Sequence, residues 1–239
     1  MGLGSERRLG ARAVLALAIA AALMVPSGAS AAQTIGQAAA AGNCTGGESY
    51  TQGPLFASTY SPTSSGVITS WSSFAGPTPN TQLVLLVLKP NPAGSTHFIA
   101  TQKDQSRTLT QANVLNTFSG VHLPIQAGEQ LGLFLPAGGA ACFIDAPPDD
   151  GLFFTGGDPP LNTDANFTGS NSNRRLNASA VVEPDADRDG FGDETQDACP
   201  SSATAQGACP AKGKKCKKHK KKSGHAVAAK KKACKKKRR

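Results

Sequence analysis

From Cys44 to Val182 no segment repeats with the period of an amphipathic helix, so this stretch reads as β-structure throughout. Short runs rich in Val, Ile, Leu, Thr and Phe are cut by Gly, Pro, Asn and Ser, which favour turns over continued strand. "SGVITSWSS" sets Val67, Thr69 and Trp71 against Ile68 and Ser70, the alternation of a strand with one buried face. "TQLVLLVLK" is apolar on both faces from Leu83 to Leu88, as a central strand should be. "STHFIATQ", "NVLNTFSG", "EQLGLFLP", "AACFIDA", "GLFFTG" and "RRLNASAVV" follow as further strands. In "LPIQAGEQLGLFLP", Ala-Gly-Glu bends the chain and Leu131, Leu133 and Leu135 then point one way. Many short strands separated by turns predict an all-β domain over residues 44–182, an antiparallel β-sandwich of jelly-roll or immunoglobulin-like topology.

The N-terminus fixes the expected compartment. "ERRLGAR", the thirteen-residue apolar run "AVLALAIAAALMV" and the small-residue "PSGASAA" form the three parts of a secretory signal peptide over residues 1–31. The apolar run is too short to span a bilayer, which takes roughly 20 residues. The cut is expected near Ala31 or Ala32, followed by a flexible leader over residues 32–43. The mature chain is then secreted, free or held non-covalently at a surface. Six cysteines in an exported chain suit disulfides. Cys44 is expected to pair with Cys142 and Cys199 with Cys209, while Cys216 and Cys234 could close a tail loop or link two chains.

The overall charge of +9 averages two opposite regions. Residues 211–239 hold 14 Lys, 2 Arg and no acid, whereas residues 33–210 hold 15 acids against six cations. Such a tail cannot fold alone and is expected to be disordered and extended by self-repulsion. Outside a cell its partners would be polyanions: cell-wall polymer, acidic polysaccharide, anionic lipid or extracellular DNA. Cys216, His219, His225 and Cys234 do not read as a zinc site, because lysines on every side disfavour a dication.

The β-domain carries no local catalytic motif. His97 and His122 sit in no recognisable pattern, and Asp149, Asp150 and Asp158 lie in Gly/Pro-rich loops where acids are usually solvated. The chain is read as a non-enzyme, with a polysaccharide-active enzyme assembled across loops as the alternative, and a matrix or adhesion component as a third reading. Tyr50, Tyr60, Trp71, Phe74, Phe153 and Phe154 are the aromatics that could meet a carbohydrate or protein ligand, although most are expected to fill the core. Asn43, Asn166 and Asn177 each begin an N-x-S/T sequon.

The most specific signal is "EPDADRDGFGDETQDACP", Glu183 to Pro200, with seven carboxylates and one arginine. Counting from Asp185, carboxylates occupy positions 1, 3, 5 and 9 with glycine at 6, the spacing of an EF-hand-type calcium loop. Alternation lets Asp185, Asp187 and Asp189 converge on one point, and Gly190 permits the turn that would bring the Phe191 carbonyl to the same ion. Position 12 is Gln196 rather than Glu, Asp197 follows one place later, and no helical pattern flanks the loop. With "DGFGD" and the terminal "DACP", residues 183–209 resemble a thrombospondin type 3 repeat. The resemblance implies calcium (Ca²⁺) wrapped by Asp185, Asp187, Asp189, Asp193, Asp197 and the Phe191 carbonyl, in a disulfide-stapled segment of little secondary structure. It also implies, more weakly, a role in adhesion. Calcium is expected to act locally on residues 183–210 and to leave the melting of the β-domain nearly unchanged.

Overall fold

The computed structural model describes residues 31–41, 43–46, 49–54, 59–92, 95–147 and 151–211. The expected signal peptide up to Ser30 and the lysine-rich tail after Ala211, with Cys216, His219, His225 and Cys234, lie outside them, as do Asp149 and Asp150.

The described residues are all-β, contain no α-helix, and pair exclusively antiparallel. In chain order the strands are β1 (Gln33–Gln37), β2 (Asn43–Gly46), β3 (Tyr50–Pro54), β4 (Gly66–Phe74) and β5 (Thr81–Pro90). Then come β6 (His97–Lys103), β7 (Arg107–Leu109), β8 (Leu115–Ile125), β9 (Gln130–Leu135) and β10 (Ala140–Asp145). The last are β11 (Gly151–Gly156), β12 (Asp164–Asn166), β13 (Gly169–Ser172), β14 (Arg174–Leu176) and β15 (Ala178–Glu183). An eight-stranded sheet runs β12-β6-β5-β9-β3-β11-β13 with β7 also on β5. A four-stranded sheet runs β1-β15-β4-β8, and a three-stranded sheet runs β14-β10-β2.

β5 is buried on both sides for the reason its sequence suggests. Leu83, Leu85 and Val87 enter the main core, which also holds Ile68 and Trp71 of β4, Leu131, Leu133 and Leu135 of β9, and Ala180 and Val182 of β15. Val84, Leu86 and Leu88 face a second cluster with Phe98, Ala100 and Phe167. The main core thus lies between the eight- and four-stranded sheets. Trp71 is the largest side chain in it; its indole N–H donates to Asp104 Oδ2 at 2.7 Å, and Arg107 Nε donates to the same oxygen at 2.8 Å. Tyr60 and Trp71 are therefore core residues, the first donating its hydroxyl to the Leu176 carbonyl at 2.6 Å.

Two expectations need correction here. The stretch 32–43 is not a free leader: Gln33–Gln37 forms an edge strand in register with β15, from Gln33 opposite Val182 to Gln37 opposite Ala178. Ile35 supplies its one core side chain, and Gly36, at φ 76°, lies where a Cβ would come within 2.2 Å of the Ala178 carbonyl oxygen. Asn177 then brackets Ala39 with both ends of its amide, at 2.9 and 3.2 Å. With 0 % exposure and its amide so engaged, Asn177 is no glycan acceptor in the folded chain.

The simple alternation expected in β4 also fails. Its pairing shifts register between Ile68 and Ser70, so Ile68 and Trp71 share the main core while Thr69 turns to the other side. A bulge changes which face a residue meets, and no local composition announces it. Both disulfides expected for the described cysteines are present, Cys44–Cys142 between β2 and β10 and Cys199–Cys209 after the acidic run. Among the described residues no helix is long and apolar enough to cross a membrane.

Candidate metal centre

The chain leaves β15 at Glu183 and folds back over the outer face of the four-stranded sheet. Glu183 holds it there. This carboxylate, 2 % exposed, accepts from Thr69 Oγ1 on β4 at 2.9 Å, from Thr195 Oγ1 at 2.6 Å, and from the backbone N–H groups of Glu194 and Thr195 at 3.0 and 2.9 Å. Burial alone would raise its pKa, but the bonds from Thr195, Thr69 and Glu194 outweigh it and hold Glu183 below the usual glutamate range. Gly192 passes so close that a Cβ would meet Glu183 Oε2 at 2.5 Å and Thr69 Cγ2 at 2.6 Å. Gln196 donates to the Val121 carbonyl on β8 at 2.9 Å, and the Phe191 ring meets His122 edge-on at 4.7 Å. The backbone N–H of Ala32 donates to Glu194 at 2.6 Å, so the residue just before the first strand touches the segment too.

Within the loop, the aspartates curl the backbone around themselves. Asp185 accepts from the N–H groups of Asp189 and Gly190, both at 3.0 Å, and Asp189 from that of Phe191 at 3.0 Å. Arg188 and Gly190 take positive φ, 62° and 87°, which makes the sharp turn between the third carboxylate and Phe191. One carboxylate oxygen each from Asp185, Asp187 and Asp189 lies within 4.8 Å of the others. Asp193 accepts from the Ala186 N–H at 3.1 Å. Burial first, and the charges of Asp185, Asp187 and Asp197 with it, push Asp193 above the usual aspartate range against that bond. Asp193 therefore feels the charges of the other three carboxylates.

The decisive atoms are those without partners. Both carboxylate oxygens of Asp187 are buried and accept no hydrogen bond. Asp197, 4 % exposed, accepts from the Cys199 N–H at 2.7 Å through Oδ1, while its Oδ2 is buried and unpartnered. A buried carboxylate oxygen without a donor is costly unless a cation takes the donor's place. An all-oxygen, multiply anionic set of this kind suits a hard divalent cation.

Of the six positions expected at the metal, Asp185, Asp187 and Asp189 converge, and Asp193 lies within reach of the charges of Asp185, Asp187 and Asp197. Phe191 is placed by its ring against His122. Sequence reasoning missed the supports: Glu183 looked like one more acid of the run, and Gln206 gave no sign that its amide would donate to Asp189 Oδ2 at 3.0 Å. The other chemistry-bearing residues lie apart. His97 pairs with Asp164 at 2.7 Å, and Asp158 with Lys103. The chain matches no protein-family model, no curated protein and no solved structure.

Proposed function

We propose that the protein is an exported, calcium-stabilised β-sandwich that is held at a surface by its cationic tail. The observation that carries the calcium reading is the pair of buried, orphaned carboxylate oxygens on half-buried Asp187, beside Asp185 and Asp189 and with its charge felt at Asp193. Bound calcium would supply the positive charge these carboxylates lack, with Asp185, Asp187, Asp189, Asp193 and Asp197 as its anionic ligands and the Phe191 carbonyl as a neutral one. Glu183 stays out of the ligand set because its oxygens are engaged by Thr69, Thr195 and Glu194. Its role is to fasten the ion-bearing loop to the sheet.

Export is supported by the disulfides, which persist in oxidising compartments, and by the N-terminal pattern. A cut after Ala31 would turn the Ala32 nitrogen into an ammonium group facing the Glu194 carboxylate. Retention on cell-wall polymer, acidic polysaccharide or extracellular DNA is proposed for residues 211–239, from their 14 Lys and 2 Arg with no acid.

Isothermal calorimetry on the full chain tests the metal reading. Calcium should bind with a Kd of about 10⁻⁴–10⁻³ M, the range of extracellular modules. Magnesium should bind at least about tenfold more weakly, because it demands tight octahedral geometry and gives up water reluctantly. No heat at millimolar calcium, or equal affinity for the two ions, would sink it.

A further inference from the structure

A second site lies away from the acidic loop. Between β3, β11 and β13 of the large sheet and β10 of the three-stranded sheet runs a cleft of about 670 Å³. That is within the roughly 300–1,000 Å³ typical of small-ligand sites. Tyr50 and Gln52 project into its lining from one face of β3, Leu152 and Phe154 from the matching face of β11, Asn171 from β13, and Phe143 from β10. None of the described lining residues carries a charge.

Two of these side chains are unexplained by the fold. Gln52 is 1 % exposed, and both its amide nitrogen and its amide oxygen lack partners. The Tyr50 hydroxyl is likewise buried and unpartnered. Leaving three polar atoms unsatisfied on one strand face costs stability that an apolar residue would not. Beside them stands a flat apolar platform. Phe154 is 38 % exposed, and its ring lies across Gly169, where a Cβ would come within 2.2 Å of it. The glycine thereby fixes the ring against the sheet without covering it.

We infer that this cleft binds a neutral saccharide, one ring stacking on Phe154 while its hydroxyls meet the Gln52 amide and the Tyr50 hydroxyl. A sugar ring joins an apolar C–H face to an edge of hydroxyls that both donate and accept, which is what the lining lacks. An aliphatic ligand would leave Gln52 unpaired. An anionic ligand would find no cation among the described lining residues. Burial pushes Tyr50 up to about 12, so its phenol remains a donor across the whole physiological range. The inference does not rest on calcium, and chelation should leave it untouched.

Saturation-transfer NMR on the full chain, with millimolar glucose, galactose, mannose, N-acetylglucosamine and their disaccharides, tests this against glucuronate as the anionic control. At least one neutral sugar should receive saturation, with or without chelator, and glucuronate should receive none. Gly156→Leu should weaken binding at least tenfold by filling the cleft, since Gly156 lines it and nothing stands within 4 Å of a Cβ there. Gln52→Leu should also weaken it at least tenfold, yet raise Tm by about 2–4 °C because an unpaired buried amide is removed. That opposite movement of binding and stability is not expected of a merely structural glutamine. The proposal is overturned by no transfer to any neutral sugar, by equal transfer to glucuronate, or by binding that survives both substitutions. A lower Tm in Gln52→Leu does so as well, because the amide would then have a partner.

Discussion

Saturating calcium should raise the melting temperature of the whole β-body by about 5–10 °C over the chelated protein, and Glu183→Ala should remove most of that rise. An ion that binds only the folded chain stabilises it by about 2.7 kcal/mol at one hundred times its Kd. For a chain of this size each kcal/mol moves Tm by about 2–4 °C. The shift reaches the body because the loop is fastened to the sheet, through Glu183 to Thr69, Gln196 to Val121 and Phe191 to His122. These contacts argue for a wider coupling than the local one expected from the sequence. Glu183→Ala strips the acceptor from two backbone N–H groups and two hydroxyls, and should itself cost about 2–4 kcal/mol. The variant should still take up calcium while its main melting transition ignores the ion. Because its pKa is lowered in the folded state, Glu183 stabilises the docked segment above the ordinary glutamate range. That contribution is lost as pH falls through the lowered value. Differential scanning calorimetry with calcium and with chelator, on both proteins, reads all of this. An equal calcium shift in Glu183→Ala would detach the carboxylate from the coupling.

Replacing Cys44 and Cys142 together by alanine should lower Tm by on the order of 10–15 °C. The pair is separated by 98 residues, and freeing a loop of that length in the unfolded chain is worth about 4–5 kcal/mol in the chain-entropy treatment. β2 is the short edge strand of its sheet, with four residues paired only to β10, so little else holds it. Gly76 packs directly on the bridge, where a Cβ would sit 2.7 Å from Cys44 Sγ. The loss should therefore extend from β2 to the loop after β4. A thermal melt of the double variant checks it, and a drop below about 3 °C would show that β2 is held by its hydrogen bonds alone.

What could be read in the residues depended on how far apart the partners lie. β5 was legible because six successive apolar residues leave no exposed face, and β9 because Leu131, Leu133 and Leu135 share one side after a turn. The spacing of Asp185, Asp187, Asp189 and Gly190 was legible for the same reason, since a metal loop is a local pattern. β3 was not: "YTQGP" is polar, and its burial comes from β9 and β11 pairing on either side. β1 offers only Ile35 to the core, so its pairing with β15, nearly 150 residues later, left no trace nearby. Glu183 was hidden in plain view. Its charge matched its neighbours, and only its contact with Thr69, 114 positions earlier, separates an anchor from a ligand.

The most direct measurement counts calcium on the chain itself. Native mass spectrometry, or equilibrium dialysis with elemental analysis, should find calcium on the wild-type protein at millimolar free ion. None should remain on the Asp187→Asn, Asp189→Asn double variant. Asp187 has no hydrogen bond to lose, and both substitutions remove charge where the carboxylates converge while the Cys199–Cys209 bridge stays intact. The account predicts ion uptake abolished in a variant that keeps its β-sheet circular dichroism. Equal calcium on both proteins, or none on either, would contradict it.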